Sequence, residues 1–222
     1  MSRDQQRPAP PGAQEATELP LAEPESHDAP SAEVAVKLVA ALDRLARALR
    51  QHRQGAASKL GITPLQAEVL RTLYEGPPPE AVVGLLAREL GVTQPTVTDS
   101  VNALVRKGLV ARSTMQGDRR RTRLELTEAG HDLVATLTAA ESELIAAVAG
   151  MGATSQETAY VSLLELIARF VDTGHIEVAR TCLTCRYLGG TPESGRHCLL
   201  LDMPLPDPAL RVNCPEHEPR PA

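Results

Sequence analysis

The chain has 222 residues, of which 42% are hydrophobic, so it can bury a core in one or two domains. With one Phe, three Tyr and no Trp, it lacks the aromatic faces on which single-stranded nucleic acids stack their bases. No stretch approaches the roughly 20 apolar residues of a membrane span, and the N-terminus is polar and proline-rich. We therefore expect a cytoplasmic protein with no membrane partner.

The formal net charge of −5 is unevenly distributed along the chain. Residues 1–35 carry two basic against seven acidic groups (−5), residues 36–150 carry 15 against 12 (+3), and residues 151–222 carry six against nine (−3). The positive excess therefore lies in the middle of the chain, which is where a nucleic-acid-binding surface would need it.

The N-terminal region changes character near residue 31. Residues 1–30 hold many prolines and acids and little apolar periodicity, so we predict a disordered tail. Residues 31–53 then show apolar side chains at helical spacing, which predicts a long amphipathic helix. The apolar stripe of this helix needs a partner.

A second helix is predicted over residues 64–74. Thr63 supplies an N-cap hydroxyl, Pro64 suits the first helical position, and Gln66 completes a capping box. A third helix over residues 80–90 ends at Gly91, since glycine favours the end of a helix.

A fourth helix begins after the N-cap Thr93 and ends near Lys107, before Gly108. The third and fourth helices are joined by the four-residue turn 90–93, which is typical of a helix-turn-helix.

A β-hairpin is predicted next, with strands over residues 109–113 and 123–126 around a basic loop at 114–122. A fifth helix, capped by Thr127, is expected over residues 128–149. A sixth is expected over residues 155–174, opened by a capping box from Thr154 to Glu157.

This element order indicates a mostly α (α+β) winged helix-turn-helix with long flanking helices. Val97, Val101, Leu104 and Val105 share one face of the fourth helix, so that face should enter the core. The opposite face carries side chains that can pair with base edges in the major groove. Its candidate DNA-binding residues are Gln94, Pro95, Thr96, Thr98, Asn102 and Arg106.

Within that set we expect Gln94, Thr98 and Asn102 to read bases, whereas Asp99 could accept from cytosine or be an ordinary surface acid. The hairpin adds Arg112, Arg119, Arg120, Arg121 and Arg123. Arginines on a wing can contact phosphates or enter the minor groove. A charge run is usually only a solvated surface, but its position beside a helix-turn-helix favours DNA binding.

Several segments together resemble the MarR family of winged-helix transcription regulators in order and spacing, over about residues 34–173. They are Thr63 to Leu70, Leu86 to Leu90, Val92 to Thr98, Leu104 to Val110 with Arg112, Asp118 to Arg120, and Leu126 to Gly130.

The resemblance implies a homodimer in which the first and last helices of two chains pack together, and binding to palindromic double-stranded DNA. It also implies that Asp118 orients Arg120 toward the minor groove. Most members repress transcription, and many release DNA when a small-molecule effector or an oxidant acts. A ligand cavity would lie between the dimerisation helices and the winged helix.

The C-terminal segment departs from that family and contains all four cysteines of the chain: Cys182, Cys185, Cys198 and Cys214. A Cys-x2-Cys pair with two further cysteines can surround one ion tetrahedrally. The segment has too few apolar residues for a core of its own, so a bound metal would supply stability. We predict a zinc site, with an iron–sulfur cluster or a partly ordered tail with free thiols as alternatives.

Three domains are therefore predicted: a tail (1–30), a winged-helix domain (31–175, with a DNA-binding core at about 60–127) and a cysteine module (176–222). We expect no enzyme activity. One alternative is a thiol-redox protein using Cys182 and Cys185, although the pair does not lie in a βαβ unit. Another is a winged-helix interaction module that binds no DNA.

Overall fold

The computed structural model describes residues 32–76, 83–115 and 118–221, with residues 114, 115 and 118–122 described by their backbone alone. The predicted tail at residues 1–30 lies outside this part. The chain divides into compact units at residues 1–46 and 47–222; the first is described only over the start of one helix. The three-domain division predicted above stays a prediction.

The helices are α1 (Ala32–Lys59), α2 (Pro64–Tyr74), α3 (Val83–Glu89), α4 (Gln94–Arg106), α5 (Glu128–Ala139), α6 (Ser142–Ala149) and α7 (Ala153–Asp172). The strands are β1 (Val110–Met115), β2 (Asp118–Leu126), β3 (Leu188–Gly189), β4 (His197–Cys198) and β5 (Met203–Pro204). Short 3-10 helices lie at Cys182–Thr184 and Asp207–Ala209. In the part of the chain described, no helix is long and apolar enough to cross a membrane.

The capping box of α2 is confirmed at the predicted residues. The backbone N–H of Gln66 donates to Thr63 Oγ1 at 3.2 Å, and Thr63 N–H donates to Gln66 Oε1 at 3.3 Å. Two otherwise unpaired donors are thus satisfied at this helix start, and α2 begins and ends where the sequence predicted.

Helix α1 continues past its predicted end at residue 53 to Lys59, because the sequence has no strong stop signal before Gly61. Gly61 has a φ of 67°, and Ile62 N–H returns to Ala57 O at 3.1 Å. This left-handed glycine closure satisfies the last carbonyls of the helix. The same closure ends α3 at Gly91 and α4 at Gly108.

The main core lies between α2, α3, α4, α5 and the base of the hairpin. Val97, Val101 and Leu104 are fully buried there, and Val105 is partly buried against them. The predicted inward face of α4 is therefore confirmed, which leaves its opposite face outside.

The hairpin is longer than predicted. Strands β1 and β2 pair antiparallel from Val110 with Leu126 to Met115 with Asp118, with an irregularity after Thr114. The prediction of a loop over 114–122 is thus wrong except at residues 116 and 117, which lie outside the described part. Apolar alternation marks only the half of a strand that meets the core, whereas backbone pairing continues through polar residues.

The predicted single helix over 128–149 is wrong, since α5 ends at Ala139 and α6 begins at Ser142. At the break, Glu141 N–H donates to Thr138 O at 3.0 Å, a tighter turn than an α-helix makes. The carbonyl of Ala140 is thereby free to bond His52 Nε2 at 2.8 Å. No Gly or Pro marks this break, and the long-range hydrogen bond of His52 lies at it.

Helix α7 begins at Ala153 with Gly152 as its N-cap, so the predicted capping box at Thr154 is also wrong. The side chain of Gln156 instead donates to Met151 O at 2.7 Å. The helix ends at Asp172, just before Gly174, whose φ is 76°.

The C-terminal module packs against α7. Its strands form a three-stranded antiparallel sheet in the order β3-β4-β5. Leu164 of α7 is buried with Cys182, Leu205 and Leu210. The apolar core of this segment therefore includes residues of α7.

Candidate nucleic-acid interface and cysteine cluster

The outer face of α4 presents polar side chains to solvent. Gln94, Pro95, Thr96 and Arg106 are exposed, while Thr98 is half-buried. The hydroxyl of Thr98 donates to Gln94 O at 2.8 Å. Because this bond uses its only proton, Thr98 can offer DNA an acceptor, the partner required by the amino groups of adenine and cytosine.

Asn102 is joined to the wing. Its amide oxygen accepts a hydrogen bond from Arg112 Nη2 at 2.8 Å, which links α4 to β1. Both residues were predicted to contact DNA, but the contact between them was not foreseen. It fixes which way the Asn102 amide faces and leaves its NH2 group available as a donor.

The basic residues of the wing lie on β2. Asp118, Arg119, Arg120 and Arg121 are placed on that strand by its backbone, and the predicted contact of Asp118 with Arg120 lies outside the described side chains. Arg123 is exposed and pairs with Glu125, its Nε lying 3.2 Å from Oε1. Part of its charge is therefore already neutralised.

Lys107 positions α4 and was missed by the sequence analysis. Its Nζ donates to Gly61 O at 2.6 Å and to Gln66 Oε1 at 3.3 Å. The C-terminal end of α4 is thus tied to the start of α2, which orients the helix that carries the candidate base-reading residues. The lysine follows a helix and precedes a glycine, so its sequence position suggested only a C-cap.

The four cysteines are brought together. Cys182, Cys185, Cys198 and Cys214 line one small, mostly apolar cavity together with Leu200 and Leu201. All four are free thiols. Among the residues that the structure describes, no three His, Cys, Asp or Glu side chains stand ready to coordinate an ion.

The Cys182 thiol lacks the environment expected of a redox nucleophile. Burial raises its pKa, and an N–H hydrogen bond from the Arg211 backbone only partly opposes this. A catalytic cysteine of a thiol oxidoreductase instead has a lowered pKa and is partly exposed. The local environment therefore disfavours the redox alternative.

A charged cleft of about 470 Å³ lies among α1, α2, the α5–α6 break and the C-terminal module. Glu141 is bonded there by both Arg53 and Arg71. Burial acts to raise the pKa of Glu141, but the hydrogen bond from Arg71 and the charge of Arg53 outweigh it, so the pKa is lowered. Burial raises the pKa of Glu75 in the same cleft.

Arg180 joins the C-terminal module to the helix-turn-helix. It is 2% exposed, and its Nε donates to Glu89 Oε1 at 2.9 Å. Its Nη1 donates to Gly76 O at 3.0 Å. The partners are 91 and 104 residues apart in the sequence, so no local pattern could have indicated this contact.

Three histidines outside the cysteine module have ordinary structural contacts. His52 bonds the Ala140 carbonyl, as described above. His131 lies edge-on to Tyr74 with ring centroids 5.8 Å apart, and His175 bonds Thr173 Oγ1 at 2.9 Å.

The arrangement of helices and wing matches known proteins. Residues 60–121 match the family model described as the MarR family. A crystal structure of a MarR family transcription regulator superposes with a TM-score of 0.55 at 22% sequence identity, covering 66% of this chain and 95% of the other. The fold is that of MarR family regulators.

Two further solved structures agree with this fold. A MarR transcriptional regulator from Methanosarcina mazei Go1 gives a TM-score of 0.54 at 22% identity, covering 61% of this chain and 97% of the other. The transcriptional regulator BldR from Sulfolobus solfataricus gives 0.51 at 22% identity, covering 62% and 96%. At these identities the similarity establishes the fold, and the mostly α winged-helix prediction is confirmed.

Proposed function

We propose that this protein is a sequence-specific transcription regulator that binds palindromic double-stranded DNA as a homodimer and represses transcription. The observation that carries the proposal is the polar outer face of α4, held beside an arginine-bearing wing by the Arg112–Asn102 bond. Gln94, Thr98 and Asn102 would read base edges in the major groove, and Arg119, Arg120 and Arg121 would contact phosphates or the minor groove.

The homodimer is supported by apolar side chains that a single chain leaves exposed. On α1 they include Val36, which is 71% exposed, and Leu49, which is 40% exposed. Ile145 and Val148 of α6 and Leu163 of α7 are also exposed. Apolar residues repeated along helices in this way favour burial against a second copy.

A two-fold dimer explains why the proposed operator is palindromic. Two recognition helices related by two-fold symmetry meet half-sites about 34 Å apart, which is one turn of DNA. Repression is supported by the MarR-type motifs, since most regulators that carry them repress. No catalytic role is part of the proposal.

The charged cleft is proposed to take a small polar effector. Arg71, Arg180 and Glu89 line it, and each has one buried polar atom without a hydrogen-bond partner in the described structure: Nε, Nη2 and Oε2, respectively. Unpaired buried donors and acceptors are costly, and a ligand or water bonded to them would offset that cost. An effector bound here would touch α3 through Glu89 and could thereby alter DNA binding.

The proposal is tested by selecting bound sequences from a random double-stranded DNA library with the full-length protein, followed by fluorescence anisotropy on the selected site. We expect enrichment of a palindrome and tighter binding than to a scrambled duplex by a factor of about 10³ or more. Placing the palindrome over a promoter should lower transcription in vitro when the protein is added.

Arg120→Ala and Arg220→Ala form a matched pair for this test, since each removes one positive charge. Arg220 lies at the C-terminus, where its Nη2 is 3.7 Å from Asp172 Oδ1. Arg120→Ala should weaken binding and Arg220→Ala should not. If the protein enriches no sequence and binds all duplexes equally, the interaction-module alternative would be supported instead. If the protein has insulin-reductase activity and Cys182→Ser loses it, the thiol-redox alternative would be supported.

A further inference from the structure

The four cysteines come from three segments that the backbone holds together. Cys182 and Cys185 flank a 3-10 turn closed by the bond from Cys185 N–H to Cys182 O at 3.1 Å. Cys198 lies on β4, opposite Leu188 of β3. Cys214 N–H donates to Arg180 O at 2.8 Å. The cluster is thus a product of the fold of the module and not of one local motif.

The sulfur of Cys182 already receives a hydrogen bond. The backbone N–H of Arg211 lies 3.2 Å from Cys182 Sγ. The Arg211 guanidinium also lies near the cluster, with Nη1 3.9 Å from Cys214 Sγ. The backbone and the side chain of Arg211 therefore lie beside two of the four sulfurs.

We propose that Cys182, Cys185, Cys198 and Cys214 bind one zinc ion, and that the bound zinc holds Arg180 against Glu89 so that the helix-turn-helix is kept in its DNA-binding arrangement. Each thiol releases one proton to solvent as its sulfur bonds the ion, so that four thiolates surround Zn²⁺ with a net charge of −2. The second half of this inference rests on the proposed function, and the first half does not.

The size of the cavity favours a single ion. Its volume of about 20 Å³ is close to that of one or two water-sized spheres. Among the described residues no three such side chains are arranged to hold an ion, so zinc binding would require the sulfurs to rearrange around this small space.

Neighbouring groups are less suited to be ligands. His217 is buried and its Nε2 bonds Thr184 Oγ1 at 3.0 Å, away from the residues that line the cavity. His197, beside Cys198, bonds Asp202 Oδ1 at 3.1 Å through Nε2. Glu216 also lines the cavity, but its Oε2 pairs with Arg211 Nη1 at 3.4 Å and accepts from Cys214 Sγ at 3.4 Å. The proposed donor set is the four sulfurs, which is typical of closed structural zinc sites.

The link to the DNA-binding helices is short. Arg180 lies two residues before Cys182, its carbonyl accepts from Cys214, and its side chain bonds Glu89 at the end of α3. Glu89 is followed by the turn that leads to Thr93, the N-cap of α4. Greater mobility of the cysteines would therefore increase the mobility of Arg180, which bonds the end of α3.

The test begins with metal analysis of the full-length protein purified anaerobically. We expect about one zinc per chain, no acid-labile sulfide and no visible absorption. After chelation, Zn²⁺ alone should restore the metal content and release protons on binding. Iron with sulfide, or no bound metal under zinc-replete conditions, would overturn the zinc site.

Single substitutions test which residues bind the zinc. Cys198→Ser should lose zinc, because one of four thiolates is missing. The matched control His197→Gln changes the adjacent residue and should keep zinc. If Cys198→Ser proves unstable, Cys185→Ser gives the same comparison. Zinc retained by both cysteine variants, or lost from His197→Gln, would contradict the proposed ligand set.

The coupling is tested on the selected DNA site. Removing zinc from the wild type should weaken binding by about tenfold, within the usual range of coupling between two sites. Glu89→Gln should keep its zinc, yet its DNA affinity should no longer depend on zinc. Equal, measurable affinity of the zinc-loaded and zinc-free wild type would overturn the coupling. If the protein binds zinc but neither form binds DNA, the proposed function alone would be overturned.

Discussion

Arg112 Nη2 donates a 2.8 Å hydrogen bond to the amide oxygen of Asn102. The bond joins β1 of the wing to α4, so the two elements proposed to contact DNA hold one another in place. A charge-assisted hydrogen bond of this kind contributes about 1.5–3 kcal/mol when shielded from water and less at an exposed site.

We predict that Arg112→Ala weakens operator binding by about tenfold, because both a positive charge and the orientation of Asn102 are lost. A double-mutant cycle with Asn102→Ala, read by fluorescence anisotropy, measures the coupling between the two side chains. The unfolding free energy should change by less than about 1 kcal/mol, since the pair is exposed. Strictly additive losses in DNA binding would show that the bond has no role there.

Gln94 and Arg120 should differ in how their loss affects recognition. Replacing a base-reading side chain costs about 1–3 kcal/mol and relaxes preference at one position of each half-site. We therefore expect Gln94→Ala to broaden the selected sequence at one position. Arg120→Ala should instead lower the affinity for all duplexes. It should also reduce the slope of log K against log salt concentration by about one for each half-site. An unchanged selected sequence for Gln94→Ala would remove Gln94 from the base-reading set.

Gly130→Ala is expected to destabilise the fold. A Cβ at residue 130 would lie 2.2 Å from the backbone oxygen of Leu109, which cannot move away as a flexible side chain could. Overpacking of this kind costs about 1–3 kcal/mol, and chemical denaturation would measure it.

The control for that substitution is Gly55→Ala. Residue 55 is exposed in α1 and a Cβ there would meet nothing within 4 Å. This variant should be neutral or more stable by about 0.5–1 kcal/mol. Equal effects of the two substitutions would show that the close approach of α5 to Leu109 has no energetic importance.

Glu141 should make stability depend on pH. Its pKa is lowered in the folded state because the bonds from Arg71 and Arg53 outweigh the opposing effect of burial. A lowered folded-state pKa gives stability that is present above the unfolded pKa and lost as the pH falls through the folded one. Glu141→Gln should therefore cost about 1–3 kcal/mol at pH 7, and the difference from wild type should shrink below about pH 4.

Urea denaturation across that pH range measures the effect of Glu141. The exposed neighbour Glu143 provides the control Glu143→Gln, which we expect to change stability little. A pH-independent difference between Glu141→Gln and wild type would mean that shape, and not charge, accounts for its contribution.

Ile145→Glu is expected to shift the protein from dimer to monomer. Ile145 is 58% exposed in the single chain, so a charged residue there should leave the fold of each chain intact. In a dimer interface it would bury an unpaired carboxylate, which is costly. Sedimentation equilibrium measures the change, with circular dichroism to check the helices. Unchanged association would place the interface elsewhere.

Local signals in the sequence determined most of the winged helix. The Thr63 capping box, the glycine stops at 91 and 108, and the inward face of α4 each depend on neighbouring residues alone. Such features can be predicted because the interactions that cause them lie within one or two turns of the chain. The sequence also grouped the four cysteines; they line one cavity, and their role as a metal site stays a prediction.

Tertiary structure decided what depends on contacts between distant residues. The break between α5 and α6 has no glycine or proline, but it lies where His52 and Arg71 bond the chain. The Arg180–Glu89 pair joins residues 91 positions apart. Such contacts form only after the elements have packed, because a charged group becomes costly to leave unpaired once it is buried.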